Sequence, residues 1–156
     1  MQPNARSLLL AALVLAGSLP AWAVDTTESP RAPAVADRLA TARRAIEAKS
    51  WNVALRELDA AAREEPRNAD VQNLLGYTYR KRPTPDLPKA FEHYEAALRL
   101  QPTHRGAHEY IGEAYLMDGK PAEAEKHLAQ LEQICGKDCE EYRDLATSIA
   151  AYKASR

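Results

Sequence analysis

The stretch Asn73-Leu74-Leu75-Gly76-Tyr77-Thr78-Tyr79 returns, lightly reworded, as Glu109-Tyr110-Ile111-Gly112-Glu113-Ala114-Tyr115. Each version sets an aliphatic residue before a glycine and a tyrosine three places after it, and the two glycines stand 36 residues apart. Ala54, Ala90 and Ala124 keep a similar interval. Self-similarity at such a period marks a chain of supersecondary units that cannot bury their apolar faces alone and so stack on one another. A stacked array offers an extended surface, which suits binding better than catalysis.

The second unit reads most clearly. Asn68 can cap a helix predicted from Ala69 to Lys81, with Val71, Leu74, Leu75 and Thr78 at helical spacing around Gly76. Glycine within a helix costs about 1 kcal/mol relative to alanine, so Gly76 implies a neighbouring helix too close for a side chain. A second helix is expected from Leu87 to Leu100, with Ala90, Tyr94, Ala97 and Leu98 inside and Pro102 ending it. In the third unit Thr103 is the expected cap and Gly119-Lys120-Pro121 the turn, with Ala124, Leu128 and Leu131 on the second helix. The first unit is worn: Ala42 and Ala45 replace Gly and Tyr, while Trp51, Ala54, Leu58, Ala61 and Pro66 keep its second half. Asp138-Cys139-Glu140-Glu141 has the form of a capping box before a last helix, whose Tyr142, Leu145, Ile149 and Tyr152 form one apolar stripe. Such a helix would close the exposed end of the stack.

Leu-Gly-x-x-Tyr, then Ala-x-x-x-Phe or Tyr, then Pro resembles the tetratricopeptide repeat over about residues 35–136. The resemblance implies an all-α fold, an α-solenoid of three helix-turn-helix units (35–68, 69–104 and 105–136) with a capping helix over 138–154. The sequence departs from the pattern at Gln72, where the family has Trp, and at Gly136, where a Pro would fall. Two extra residues also enter the second unit, since Gly76 to Ala90 is 14 residues and Gly112 to Ala124 is 12. The addition falls in the turn 82–88.

The resemblance further implies a concave groove, lined by the first helices, that holds a partner peptide or protein. Projected on this sequence, the groove presents Leu39 and Arg43, then Asn73, Tyr77, Arg80 and Lys81, then Glu109, Tyr110 and Glu113. Asn73, Tyr77 and Lys81 share a helix face at spacings of four, and Tyr and Arg are favoured at binding hot spots. A merely solvated face with Tyr77 packed between helices is the competing reading. The Lys and Asn clamp by which one branch of the family holds chaperone carboxylates is missing, its places being taken by Leu39, Arg43, Leu74, Gly106 and Tyr110.

Residues 1–23 read as a secretory signal peptide: Arg6, a short apolar run from Leu8, then Ala21-Trp22-Ala23 with cleavage expected after Ala23. The apolar run is shorter than the ~20 residues that span a bilayer, and no later segment reads as a span. Residues 24–34 form a polar, Pro-bearing linker that reads as disordered. The expected location is therefore periplasmic or secreted. With 22 acidic against 21 basic residues and no basic stripe, nucleic acid is excluded as a partner.

Cys135 and Cys139 are the only cysteines, and in an oxidising space an even count favours a disulfide. So short a loop adds only about 2 kcal/mol, mainly by fixing how the last helix leaves the third unit. His104 and His108 stand four apart, with His93 and His127 elsewhere; surface histidines at a turn are expected rather than a metal site. No catalytic triad, phosphate loop or paired-carboxylate site emerges, and no cofactor is implied. The reading is a monomeric, non-catalytic adaptor of the cell envelope, with an assembly factor as its narrower form. An envelope thiol-redox or metal-handling protein working through Cys135, Cys139 and the histidines is the alternative, and a self-assembling structural subunit a third.

Overall fold

The computed structural model describes residues 34–155, so the predicted leader, and the linker apart from Ala34, lie outside the described residues. Seven helices follow: α1 (Val35–Glu47), α2 (Trp51–Glu64), α3 (Ala69–Lys81), α4 (Leu87–Leu100), α5 (Arg105–Met117), α6 (Pro121–Cys135) and α7 (Glu140–Ala154). The described residues form an all-α solenoid of helix pairs. α1 packs on α2, α3 on α4 and α5 on α6; α2–α3, α4–α5 and α6–α7 contacts join each pair to the next. α5 also touches both α3 and α7.

The core is built in sections, as a stack of non-self-sufficient units requires. Val35, Ala42, Leu58, Ala61, Val71 and Leu75 fill the first section, and Ala90, Tyr94, Ile111 and Ala114 the second. Leu116, Ala124, Leu131, Leu145 and Ile149 fill the third, so α7 supplies two core residues and covers the last pair. Removing such a stripe from water contributes about 25 cal/mol per Å² of apolar surface, which is why α7 stays on the stack despite its charged outer face.

The two repeated glycines have one cause. A Cβ built on Gly76 would lie 2.6 Å from the fully buried ring of Tyr94, and one on Gly112 would lie 2.7 Å from Leu145. Each glycine therefore cedes its side-chain volume to a neighbour, Tyr94 of α4 in one case and Leu145 of α7 in the other. The turn after α5 needs a left-handed residue, supplied by Gly119 at φ 73°. In the worn first unit Lys49 takes that conformation, at φ 54°.

The extra residues of the second unit lie between α3 and α4, where Asp86 accepts a hydrogen bond from the Lys89 N–H at 3.2 Å and caps α4. Asn68 caps α3 as its sequence suggests, accepting from the Val71 N–H at 3.2 Å. Two expected caps are different. His104, not Thr103, caps α5: its Nδ1 accepts from the Ala107 N–H at 3.1 Å, and its Nε2 lies 3.1 Å from Asp70 Oδ1, so the ring ties α5 to α3. The capping box before α7 does not form. Cys139 occupies the cap position and makes no side-chain cap bond, because its sulfur is engaged by Cys135 and Asp138 lies outside the helix.

The glycine account is tested by Gly76→Ala. Helix propensity favours alanine by about 1 kcal/mol, but overpacking against a buried ring costs about 1–3 kcal/mol. Chemical denaturation is expected to show a net loss of stability; a gain would mean that Tyr94 does not need that space.

Candidate functional site

Arg80 is the centre of the inner surface, and it is not exposed. Its side chain is 4% accessible. Its Nε donates to the Tyr94 hydroxyl at 3.2 Å, and its Nη2 lies 2.6 Å from Glu113 Oε2. The latter contact is ionic rather than well aligned, since Nη2 has no acceptor in hydrogen-bond geometry. Burial lowers the guanidinium pKa, but Tyr94 and Glu113 together outweigh it and hold Arg80 above its ordinary value. The group also lies 5.5 Å from the centre of the Tyr77 ring and 5.7 Å from that of Tyr110, within cation–π range. Glu113 Oε1 in turn accepts from the Ser148 hydroxyl at 3.2 Å. One side chain thus connects α3, α4 and α5, and through Glu113 reaches α7.

Beside this network lies a cleft of about 290 Å³, walled by Arg43, Ile46 and Glu47 of α1, by Asn73, Leu74 and Tyr77 of α3 and by Gly106 and Tyr110 of α5. The Tyr77 and Tyr110 ring centres are 4.9 Å apart and tilted by 56°, and Lys81 Nζ stands 6.0 Å from the Tyr77 ring. A Cβ on Gly106 would come within 3.2 Å of Asn73 Nδ2, so the absent side chain lets α5 approach α3 closely. Asn73 is 6% exposed and its Oδ1 has no hydrogen-bond donor among the described residues. Three larger hollows, about 550 Å³ around Trp51 and Pro83, about 760 Å³ between Thr103 and Gln133 and about 400 Å³ beside Pro66, are lined by turns and helix ends and contain no tyrosine.

The α5–α7 end of the inner surface is acidic. Glu109 is buried, and its carboxyl is pushed up to about 8 by burial, then by Glu113, Asp144 and Glu141, with Arg80 offsetting part of the rise. Burial also raises the Tyr110 hydroxyl, to about 12, with Glu109 the next cause.

The predicted groove residues divide accordingly. Arg43, Asn73, Tyr77 and Tyr110 come together in the cleft, with Lys81 beside Tyr77. Three expectations need correction. Arg80 is a buried strut, not an exposed contact, because Glu113 and Tyr94 draw it between the helices. Glu109 is likewise buried, facing the acids of α7. Leu39 packs on the first core section and does not line the cleft. Sequence reasoning missed Ile46 and Glu47 as lining residues, because the worn first unit lacks the Gly-x-x-Tyr mark that would have fixed its register; Leu74 and Gly106 it reached only as places of the missing clamp.

The histidines are not surface groups at a turn. His104 and His108 are buried. His108 Nε2 lies 2.9 Å from the Pro102 carbonyl, and its Nδ1 lies 2.9 Å from Nδ1 of His127. The network assigns both rings as neutral, His108 donating to Pro102 and accepting from His127, and burial followed by the His108 neighbour lowers His127 to about 4. His93 stacks on Tyr79 and lies 2.8 Å from Gln72 Oε1. Cys135 and Cys139 are joined across the α6–α7 turn, with Cα atoms 5.9 Å apart. Glu141 is close to both sulfurs, but a bridged pair offers no thiolate to a metal.

Two sequence profiles described as tetratricopeptide repeat match the chain, one over residues 39–104 and the other over 86–149. The second runs into α7, which accords with α7 packing on α5 in the manner of a further first helix. No curated protein matches the chain.

The position of Glu109 has a pH signature. Its carboxyl binds a proton up to about pH 8 when folded, whereas an unfolded glutamate does so only up to about 4.3. Between those values the folded state holds the extra proton, so this group's contribution to stability falls as pH rises. The depressed His127 acts in the opposite sense between about 4 and 6.5, so the informative quantity is the difference between wild type and Glu109→Gln. The variant is expected to melt higher than wild type at pH 9, with the gap closing by pH 4. A gap that does not change with pH contradicts this assignment.

Proposed function

The chain belongs to the tetratricopeptide-repeat family, a family of protein-interaction modules, and from that premise we propose that it is an adaptor that grips a partner's peptide segment in the α1–α3–α5 cleft. The observation that carries this reading is a cleft walled by three successive units, in which the Tyr77 and Tyr110 rings stand 4.9 Å apart. Tyr77 and Tyr110 offer apolar area with little rotamer entropy to lose, and Arg43 and Lys81 stand at the rim. Arg80 serves by holding the rings, not by touching the ligand.

The role is non-catalytic and lies in the cell envelope, as an assembly factor reached by export. The leader pattern of residues 1–23 supports export, and the joined Cys135–Cys139 pair suits an oxidising compartment. The protein acts as a monomer. Among the described residues no helix is long and apolar enough to cross a membrane. The thiol-redox and metal-handling alternative has less support, since the sulfurs are bonded to each other and the four histidines are spent on capping, stacking and pairing.

Photocrosslinking in the expressing cells tests the groove. A benzoylphenylalanine at Lys81 is expected to capture a partner, one at Glu95 on α4 to capture none, and Tyr77→Ala to cut capture at Lys81 at least tenfold with helicity unchanged. Equal capture from both positions, or capture indifferent to Tyr77, contradicts the proposal.

A further inference from the structure

The α1 wall of the cleft carries two opposite charges without partners among the described residues. Arg43 and Glu47 both line the cleft, both are exposed, and they stand one helical turn apart. The other charged side chains of α1 have settled roles. Asp37 sits in the first turn, where an acid complements the helix dipole. Arg38 meets Glu57 at 3.2 Å and Glu64 at 2.9 Å, and Arg44 donates to the Thr41 hydroxyl at 3.0 Å. Arg43 and Glu47 have neither ion pair nor side-chain hydrogen bond among the described residues. Nor do they suit each other, since the favoured order on a helix puts the acid before the base and here the base comes first. Glu47 is also the last residue of α1, where the dipole disfavours an acid.

The remaining lining residues are uncharged. From α3 and α5 come the Tyr77 and Tyr110 rings, 4.9 Å apart, together with Leu74. Lys81, 6.0 Å from the Tyr77 ring, stands outside the lining. The cleft thus has an ionic side on α1 and an aromatic, apolar side on α3 and α5. An extended segment answers both sides at once, because its successive side chains point to opposite faces. The spacing agrees as well. One helical turn separates the two charges by about 6 Å along the axis, and alternate residues of a strand stand about 6.6 Å apart.

We propose that the segment held in the cleft is an extended run with an acidic and a basic residue two positions apart and an apolar residue between them. The acid meets Arg43, the base meets Glu47, and the apolar side chain packs on Tyr77 and Tyr110. This rests on the groove reading above and names the chemistry of its ligand. The segment can lie in either direction along α1, so acid-apolar-base and base-apolar-acid both qualify. Adjacent charges point to opposite faces and cannot both meet α1. A segment of uniform charge brings one like charge into the cleft and is disfavoured. Exposed ion pairs contribute modestly, so the charges choose the partner while the rings supply most of the grip.

The test is a chemical-shift titration of the full chain with acetyl-Ser-Leu-Glu-Leu-Arg-Leu-Ser-amide and with its isomer acetyl-Ser-Leu-Leu-Glu-Arg-Leu-Ser-amide, which keeps composition and net charge but sets the charges side by side. The first peptide is expected to bind at least about threefold more tightly and to shift the amides of Arg43, Glu47 and Tyr77. Replacing its glutamate by glutamine, or its arginine by citrulline, is expected to lose a similar factor each time. Arg43→Gln is expected to remove the penalty of the first replacement alone, and Glu47→Gln that of the second alone. Both residues are exposed, so helicity and melting temperature are expected to stay unchanged. Equal affinity for the two isomers, with shifts at Tyr77 and Tyr110, overturns the charge pattern and leaves the groove standing. A preference indifferent to both substitutions places the peptide's charges elsewhere, at Lys81 for example, and also overturns it. Absence of shifts with every peptide overturns it too, and the crosslinking comparison then judges the groove separately.

Discussion

The inner face depends on the contact between the Arg80 guanidinium and the Glu113 carboxylate, 2.6 Å apart and nearly closed to water on the arginine side. A charge in that position is tolerable only if its partners stay in place, because removing one partner of a buried pair costs about 3–5 kcal/mol. The pair therefore sets how far α3 stands from α5. That spacing in turn puts the Tyr77 and Tyr110 rings in contact and brings Asn73 against the bare backbone of Gly106. Through Ser148 the same carboxylate registers α7.

Packing and charge divide the work of assembly. Gly76 and Gly112 admit Tyr94 and Leu145, so apolar contact brings α3 onto α4 and α5 onto α7. Polar contacts then choose the register: Arg80 with Tyr94 and Glu113, His104 with Asp70, and His108 with His127. The joined cysteines add a short covalent tie at the α6–α7 turn. Among the described residues the buried side-chain atoms left without a hydrogen bond are Asn73 Oδ1 and Arg80 Nη2, one acceptor and one donor, and both belong to α3.

Much of the fold was legible in the sequence because helical period and turn chemistry are local. Gly-x-x-Tyr, the small alanines and the prolines give the helix pairs, and the lengthened second turn follows from counting residues between Gly76 and Ala90. Depth was not legible. Periodicity puts Asn73, Tyr77 and Arg80 towards one side of α3 but cannot say that Glu113 and Tyr94 pull Arg80 inward, since those partners are 14 and 33 positions away in the chain. The same limit hid Glu109, whose neighbours Glu141 and Asp144 belong to α7. At α5, Thr103 has the better capping chemistry, yet His104 takes the cap because its ring also reaches Asp70. Ile46 and Glu47 were missed because the first unit has lost the glycine that would mark its inner face.

The most direct test of this account is a double-mutant cycle on Arg80→Met and Glu113→Gln, read by equilibrium denaturation. If the pair is the strut of the inner face, each single substitution is strongly destabilising and the double costs less than their sum, with a coupling of at least about 1 kcal/mol, within the range seen for contacting residues. Additive effects, or an Arg80→Met variant as stable as wild type, would contradict it and return Arg80 to the role of an exposed ligand contact.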